Sequence, residues 1–283
     1  MSSSRHSKLN HLQRILPEGL VVDASWLEER GYSSALRGRY LNSGWLVRPA
    51  RGVYRRPNGI LLWEQVVVSM QSLMRFPVVV GGRTALERQG FAHYLSTEGM
   101  REVHLYGEKP FPSWITQLDV DARFILHNAR RLFPTGPLID SMRDGDAQAP
   151  RDSGLAPERF PESLTRQTWG RWDWPIVMSM PERAVLELLD EVPRNETFHQ
   201  ADQLIEGLRT LSPHRMQSLL EACRSIKVKR LFMWFAERHG FRWLNQISLE
   251  HIDLGKGKRM LVRGGRLDGK YLITVPEEIQ SGE

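Results

Sequence analysis

The first sixty residues hold the feature that most restricts the fold of this chain, which is a row of three short helical segments. The first, KLNHLQRIL, spaces its apolar residues for one helical face and ends before Pro17, which disfavours helix at the preceding residue. Asp23 is a suitable N-cap for the second, ASWLEER, and Gly31 marks its end. Ser33 or Ser34 can cap the third, SALRGRYLNSG. These signals predict three helices, the second of only two turns.

A short hairpin follows the third segment directly. In GWLVRPARGVYRR the pattern predicts strands at 45–47 and 53–55 joined by a turn, with Trp45 and Val53 buried. Three helices followed by a two-stranded wing is the order of a winged helix-turn-helix. In that arrangement the third helix enters the major groove of DNA, and the wing lies along the backbone or an adjacent groove. The sequence therefore predicts a DNA-binding domain here.

The positive charge of the chain is concentrated in the same region. Residues 1–60 contain ten lysines and arginines against four acidic residues, an excess of six that equals the net charge of +6 for all 283 residues. A clustered positive surface suits nucleic acid, because each phosphate that it neutralises releases counterions. The alternative is a basic hairpin that packs on a partner domain and contacts no ligand.

The expected DNA contacts come from the third helix and from the wing. Arginines on the hairpin are best explained as phosphate contacts, and the tyrosines beside them can donate to phosphate oxygens. Arg37 and Arg39 are expected to point away from the face that carries Leu36 and Tyr40, toward base edges. The candidate DNA-binding residues are Ser33, Ser34, Arg37, Arg39, Tyr40, Arg48, Arg51, Tyr54, Arg55 and Arg56.

The remainder of the chain predicts a mixed α/β region with a helical cluster, so the expected fold class is α+β. The pattern predicts a helix at 62–74, a short helix that ends at Gly90, and strands at 76–80, 103–106 and 124–127. Ser179 is expected to cap PERAVLELLDEV, and further helices are expected at 198–208, 213–223 and 228–238, with a closing strand at 271–275. Residues 141–166 are rich in Pro, Gly, Asp and Arg and are expected to form a mobile excursion.

Several stretches carry a family resemblance. They are SWLEERGYSSALRGRYLNSGWLVRPARGVYRRP, WEQVVVSMQSLMRFPVVVGGRTALERQGFAHYL, SMPERAVLELLDEVP and KVKRLFMWFAERHGFRWLNQISLEHIDLGKGKRMLVRGGRLDGKYLITVP. Together they resemble the AbiEi-type antitoxins of type IV toxin–antitoxin systems, which act in abortive infection. The resemblance implies an N-terminal winged helix that represses its own operon by binding double-stranded operator DNA, and a C-terminal domain that provides antitoxicity. It also implies a cognate nucleotidyltransferase-like toxin encoded beside it. We divide the chain accordingly into domains 1–95 and 96–283.

A second group of basic residues lies in the part that resembles the antitoxic domain. Its members are Lys227, Lys229, Arg230, Lys256, Lys258, Arg259, Arg263 and Arg266. We interpret them as a surface for an acidic partner, which is either a face of the toxin or the nucleic acid on which the toxin acts. The alternative is that residues 227–230 form only the polar start of a helix, since short charge runs are usually solvated.

The glycine-rich segment DLGKGKRMLVRGG invites an enzymatic interpretation. A phosphate-binding P-loop needs four residues between its glycines and Ser or Thr after the lysine, but here one residue separates the glycines of GKGK and arginine follows. Asp253 and Asp268 superficially resemble nuclease carboxylates, but Asp-Gly between strand-like runs is typical of a tight turn. The sequence favours a binding protein over an enzyme. The alternative is an enzyme that acts on nucleotides, nucleic acid or the toxin through this loop.

Neither a cofactor nor a metal site nor a membrane segment is expected. His93 in FAHYL has no second His, Cys or carboxylate at metal-ligand spacing. The single cysteine, Cys223, excludes an intrachain disulfide and favours a reducing compartment. The start lacks an apolar signal region, and the most apolar stretch, VVVSMQSLMRFPVVV, is shorter than a bilayer span. These features predict a soluble cytoplasmic protein.

Overall fold

The structure is a computed structural model that describes residues 3–57, 59–91, 101–134 and 162–277. Its fold class is α+β, as the sequence predicts, with a winged helix followed by a mixed sheet and a cluster of helices. The expectations for His93 and for the mobile excursion over residues 141–161 lie outside the described residues.

The N-terminal elements follow the order of a winged helix. The helices are α1 (Ser3–Ile15), α2 (Ala24–Glu29) and α3 (Ser34–Asn42), and the strands are β1 (Val21–Asp23), β2 (Val47–Ala50) and β3 (Val53–Arg55). The strands form an antiparallel sheet in the order β1, β3, β2. The three predicted helices and the hairpin are confirmed, but the first strand of the hairpin covers Val47–Ala50 rather than 45–47. The sequence pattern does not predict β1, because a strand of three residues is defined by its pairing with β3 rather than by local periodicity.

Local capping sets the helix starts. The Asp23 carboxylate accepts a hydrogen bond from the backbone N–H of Trp26 at 2.8 Å, as predicted, and Ser33 is the N-cap of α3. After α3, Gly44 adopts a positive φ of 74°, and the N–H groups of Trp45 and Leu46 both donate to the carbonyl of Tyr40. This turn directs Leu46 into the core and leaves Trp45 46% exposed. The expectation that Trp45 is buried is therefore wrong.

A broken helix connects the winged helix to the rest of the chain. The first half is α4 (Trp63–Val68), and the second half, Ser69–Leu73, is a π-helical turn rather than the continuous α-helix that was expected over 62–74. The Ser69 hydroxyl bonds back to the carbonyl of Gln65, which weakens the α-helical pattern at that point. The same hydroxyl accepts from the N–H of Val21, so the turn is fastened to β1.

A mixed five-stranded sheet forms the middle of the molecule. Its strands are β4 (Val78–Val80), β5 (Arg101–Gly107), β6 (Ala122–Asn128), β7 (Leu164–Trp169) and β8 (Trp174–Ser179), in the order β6, β5, β4, β8, β7. β4 pairs with β5 antiparallel and with β8 in parallel, so a strand from before residue 95 lies at the centre of the sheet. The division into domains 1–95 and 96–283 stays a prediction. Residues 164–166 belong to β7, so that end of the predicted excursion is wrong.

Helices cover this sheet and continue into a cluster. They are α5 (Gly82–Arg88), α6 (Pro181–Glu191), α7 (Phe198–Glu206), α8 (Pro213–Ala222) and α9 (Ile226–Arg238). Val185, Leu188 and Leu189 are buried along α6, as its apolar spacing predicts. Ser179 does not cap this helix, because the N-cap position falls on Met180 and Ser179 ends β8 as a buried residue. The chain closes with β9 (Arg266–Leu267) paired to β10 (Thr274–Val275), a shorter strand than expected.

A buried polar cluster lies where β5 and β6 meet α6. The Nδ1 of His104 is 3.1 Å from the Nε2 of His127, and the Nδ1 of His127 is 3.2 Å from a carboxylate oxygen of Glu191. Burial, followed by the neighbouring His127, lowers the pKa of His104 to about 3. Burial opposes ionisation of Glu191, but hydrogen bonds from His127 and Asn195 outweigh it and lower its pKa to about 2. The folded chain therefore holds His104 neutral and Glu191 ionised.

Candidate nucleic-acid interface

The start of α3 presents an exposed polar edge. Ser33 and Ser34 are exposed, and the Ser33 hydroxyl accepts a hydrogen bond from the N–H of Leu36 at 3.4 Å. Two turns along, Arg39 is also exposed, and its guanidinium forms no ion pair or hydrogen bond with the residues that the structure describes. These three residues are therefore accessible to a ligand, as the sequence predicts.

Arg37 occupies a different position from the one expected. Its guanidinium is buried, donates to the carbonyl of Tyr32 at 2.8 Å and pairs with a Glu28 oxygen at 2.7 Å. The same group lies over the ring of Tyr54, 5.5 Å from its centroid. The expectation that Arg37 points away from the core is wrong, because its guanidinium donates to the Tyr32 carbonyl, in the connection between α2 and α3, and to the Glu28 carboxylate. Arg37 holds α2 against α3.

The wing divides its four arginines into two kinds. Arg48 and Arg51 are exposed on β2 and in the turn, and neither has an ion-pair partner among the described residues. Arg55 is buried on β3, where it donates to the carbonyls of Arg56 and Gly59, and burial lowers its pKa. Arg56 pairs with Glu18 at 2.7 Å. The expectation of phosphate contacts from Arg55 and Arg56 is not supported, because their guanidinium groups already satisfy acceptors of the chain itself.

The two tyrosines also face inward. The rings of Tyr40 and Tyr54 are both buried in the core of the winged helix, and the expectation that their hydroxyls reach phosphate oxygens stays a prediction. Tyr40 is held by its backbone carbonyl, which accepts from the two residues after Gly44, and Tyr54 packs under the Arg37 guanidinium. Each ring contributes apolar surface to the core of the small domain.

Exposed apolar side chains lie beside the exposed arginines. Trp45 and Val47 are 46% and 40% exposed, on either side of the buried Leu46. Sequence reasoning missed them because it assigned Trp45 to the core. Gly44 is the signal in the sequence that could have predicted their exposure. A glycine that ends a helix determines the turn after it, and therefore which of the following side chains is buried. The interface thus combines Ser33, Ser34, Arg39, Arg48 and Arg51 with an apolar rim.

The second basic group is only partly a surface. Lys229 and Arg230 are buried, and Arg230 donates to the carbonyls of Leu254 at 2.6 Å and Gly257 at 2.7 Å. The Lys227 ammonium donates to the carbonyl of Val192 at 2.8 Å. The expectation that Lys229 and Arg230 face a partner is therefore wrong, because both are buried and Arg230 fastens one segment of the chain to another. Lys227 is partly exposed, so its assignment to a surface stays a prediction. The members that remain exposed are Lys256, Lys258, Arg259, Arg263 and Arg266.

The carboxylates of the glycine-rich segment are used in turns. An Asp253 oxygen accepts from the N–H of Gly255 at 2.7 Å, and an Asp268 oxygen accepts from the N–H groups of Lys270 and Tyr271. The turn interpretation of Asp268 is confirmed. Across the described residues there is no group of three or more His, Cys, Asp or Glu side chains that could hold a metal ion. Similarly, none of the helices in the described part of the chain is long and apolar enough to cross a membrane.

Comparison with known proteins assigns both halves of the chain to one family. Residues 5–97 match the family model described as the N-terminal domain of the AbiEi antitoxin transcriptional regulator. Residues 100–276 match the model described as a transcriptional regulator, the AbiEi antitoxin of a type IV toxin–antitoxin system. No protein with a curated description matches the sequence.

One solved structure shares the fold over most of the chain. The crystal structure of the RV2827C protein from Mycobacterium tuberculosis superposes with a TM-score of 0.53 at 15% sequence identity. The match covers 94% of this chain and 88% of the other. At this identity the likeness shows a shared fold and carries no residue assignment.

Proposed function

The chain belongs to the AbiEi antitoxin family of transcriptional regulators of type IV toxin–antitoxin systems, and we propose that it binds double-stranded operator DNA through its winged helix. Through this contact it represses its own operon, which places it in the cytoplasm beside the chromosome. Residues 96–283 counter the cognate nucleotidyltransferase-like toxin. The family is one of regulators and antitoxins rather than enzymes, and its role is consistent with phage defence.

The observation that carries the DNA-binding proposal is the separation of free arginines from structural ones. Arg37, Arg55 and Arg56 are paired within the chain, whereas Arg39, Arg48 and Arg51 are exposed on α3, on β2 and in the wing turn. These are the elements that a winged helix brings to the major groove and the adjacent backbone. A hairpin packed on a partner domain would bury its basic side chains instead. We assign Arg48 and Arg51 to phosphates and Arg39 to base edges.

The phosphate assignment predicts a change in salt dependence. The double variant R48A/R51A is expected to bind operator and random DNA more weakly, with a log K against log salt slope shallower by about two, since each phosphate contact contributes about 0.9. Fluorescence anisotropy over a range of salt concentrations measures the slope. The matched control is R209A/R242A, which removes two exposed arginines outside the winged helix. An unchanged slope in R48A/R51A would overturn the wing assignment.

The base assignment predicts a loss of preference rather than of general affinity. R39A is expected to reduce the ratio of operator to random-DNA binding by roughly tenfold or more, because a good side-chain contact to a base pair is worth about 1–3 kcal/mol of discrimination. Both DNAs are measured at one salt concentration. An equal loss of affinity for operator and random DNA would indicate that Arg39 contacts the DNA backbone rather than base edges.

The antitoxic role is assigned to the exposed basic side chains near the C-terminal end. A charge reversal, K256E/K258E/R259E, is expected to abolish rescue of cells that express the toxin, because it repels the acidic partner, while repression of the promoter persists. The control K109E/R209E/R242E makes the same charge change at other exposed positions. Full rescue by the folded triple variant would move the antitoxic site elsewhere. Loss of repression as well would show that the two activities are not separable as proposed.

A further inference from the structure

A cleft of about 690 Å³ lies at the N-terminal end of α9. Three other parts of the chain complete it: the turn after β6, the segment between α6 and α7, and the C-terminal segment before β9. Six basic side chains line it, and they are Arg131, Arg194, Arg224, Lys227, Arg259 and Arg263. They come from four regions distant in sequence, so no local pattern could have grouped them.

The part of the chain that the structure describes does not neutralise the positive charge of this cleft. Asp190 is its one acidic lining residue, and its carboxylate already lies 3.3 Å from the Arg131 guanidinium and 3.6 Å from the Lys227 ammonium. The other four guanidinium groups are exposed, and they form no ion pair or side-chain hydrogen bond with described residues. Like charges this close repel one another, so an anion that enters the cleft relieves a cost already present in the free protein.

The backbone adds a second feature that favours an anion. Ser225 is the N-cap of the 13-residue helix α9, and its hydroxyl accepts from the N–H of Val228. The N–H groups of the first turn have no acceptor within a helix, and the helix dipole places partial positive charge at this end. The cleft thus aims arginine side chains and a helix N-terminus at the same space, which is the arrangement of many phosphate sites.

Buried contacts hold the cleft in shape. Arg230, one turn into α9, fastens the carbonyls of Leu254 and Gly257, and so fixes the start of the segment that carries Arg259 and Arg263. The backbone of Arg259 exchanges hydrogen bonds with Leu272 and Thr274. Arg230, which the sequence assigned to a surface, thus supports the exposed Arg259 and Arg263, and the site is preorganised.

The remaining wall is apolar. Val192, Pro193, Met260 and Leu261 line it, and Met260 is 71% exposed. A cleft of about 690 Å³ falls within the ordinary range of about 300–1,000 Å³ for small-molecule sites. A ligand that suits both walls carries concentrated negative charge at one end and a flat or apolar group at the other.

We propose that this cleft binds the phosphate groups of a nucleotide, either as a free nucleoside polyphosphate or as the phosphorylated end of a polynucleotide. Guanidinium groups match phosphate oxygens with paired hydrogen bonds, and five of the six basic residues are arginines. Several positive charges in so small a volume suit phosphate better than an acidic peptide, because a phosphate monoester carries about 1.5–2 charges and a carboxylate one. The apolar wall receives the base or sugar.

Isothermal titration of the full chain tests this site. The probes are pyrophosphate, ATP, a 5′-phosphorylated tetranucleotide and its unphosphorylated form, each at low salt. The test variant is R224Q/R263Q, which removes two guanidinium groups that form no ion pair or side-chain hydrogen bond with described residues, and the control is R209Q/R242Q. Wild type and control are expected to bind ATP at one site. The Kd of the test variant is expected to rise roughly tenfold or more, since two charge-assisted contacts to phosphate are lost.

The probes separate the two sources of phosphate. If ATP binds at least as tightly as the phosphorylated tetranucleotide, the result supports a free nucleotide as the ligand. If the tetranucleotide binds more tightly than ATP and only with its 5′-phosphate, the result supports the end of a polynucleotide. Absence of binding by every phosphate probe, or equal Kd values in both double variants, would overturn the proposal. So would a glutamate-rich peptide that binds more tightly than all of them. Operator binding of R224Q/R263Q is measured in parallel, so failure here leaves the winged-helix proposal intact.

Discussion

Alanine substitutions at Arg37 and Arg39, two positions apart on α3, are expected to affect different properties, namely the stability of the fold and the preference for operator DNA. Arg37 is buried and makes its contacts within the winged helix, whereas Arg39 is exposed and makes none with the described residues. R37A should therefore lower the stability of the fold, and R39A should lower the preference for operator DNA. The pair is its own control, because both changes remove one guanidinium from one short helix.

The contacts of Arg37 set the size of the effect. The Arg37 guanidinium donates to the carbonyl of Tyr32 at 2.8 Å. Its removal leaves this buried acceptor without a donor, which costs about 1–3 kcal/mol. The pair with Glu28 adds no more than about 1 kcal/mol, because the Glu28 side chain is 57% exposed. Loss of the buried aliphatic stem beside Tyr54 adds about 1 kcal/mol. R37A is thus expected to lower the free energy of unfolding by about 2–5 kcal/mol.

Urea unfolding followed by tryptophan fluorescence measures this difference. R39A is expected to stay within about 0.5 kcal/mol of the wild type, as is usual for an exposed side chain without partners. DNA binding is then measured well below the unfolding transition of both variants, where R37A should keep its operator preference. The reasoning would be refuted by an R37A protein that is as stable as the wild type yet has lost operator binding.

The winged helix could be predicted because its signals are local. Asp23 and Ser33 cap the helices that their positions predict, and an apolar stripe defines α1. The burial of individual arginines could not be predicted in the same way. Arg37 and Arg39 have the same chemistry and the same local setting. Only Arg37 is buried, because it alone contacts Glu28 of α2 and the Tyr32 carbonyl that follows this helix. The sequence therefore predicts where the candidate interface lies, but it also assigns to it arginines that are buried in the fold.

The C-terminal half shows the converse difficulty. Its helices follow from apolar spacing, but the order of the sheet depends on β4 meeting β8 about a hundred residues later. Arg131, Arg194 and Arg224 come from three separate parts of the sequence, and only the fold places them around one cleft with Arg263. Clustering in sequence instead favoured residues 227–230, of which Lys229 and Arg230 are buried and Arg230 anchors the segment after residue 253.

The remaining predictions concern three other side chains. R230Q is expected to lower the free energy of unfolding by about 2–4 kcal/mol in urea, because it leaves buried carbonyls without their donors, and a neutral result would refute its anchoring role. R56Q should change the free energy of unfolding by less than about 1 kcal/mol, since the Glu18 side chain that pairs with Arg56 is 54% exposed. A larger loss of stability would contradict this expectation. Burial holds the pKa of His104 near 3 against 6.5 in the unfolded chain, so between these values the unfolded state binds the extra proton. The free energy of unfolding should therefore fall as pH drops below about 6.5, and H104N should flatten that slope in urea titrations at successive pH values. A variant that keeps the full slope would assign the acid sensitivity to other groups.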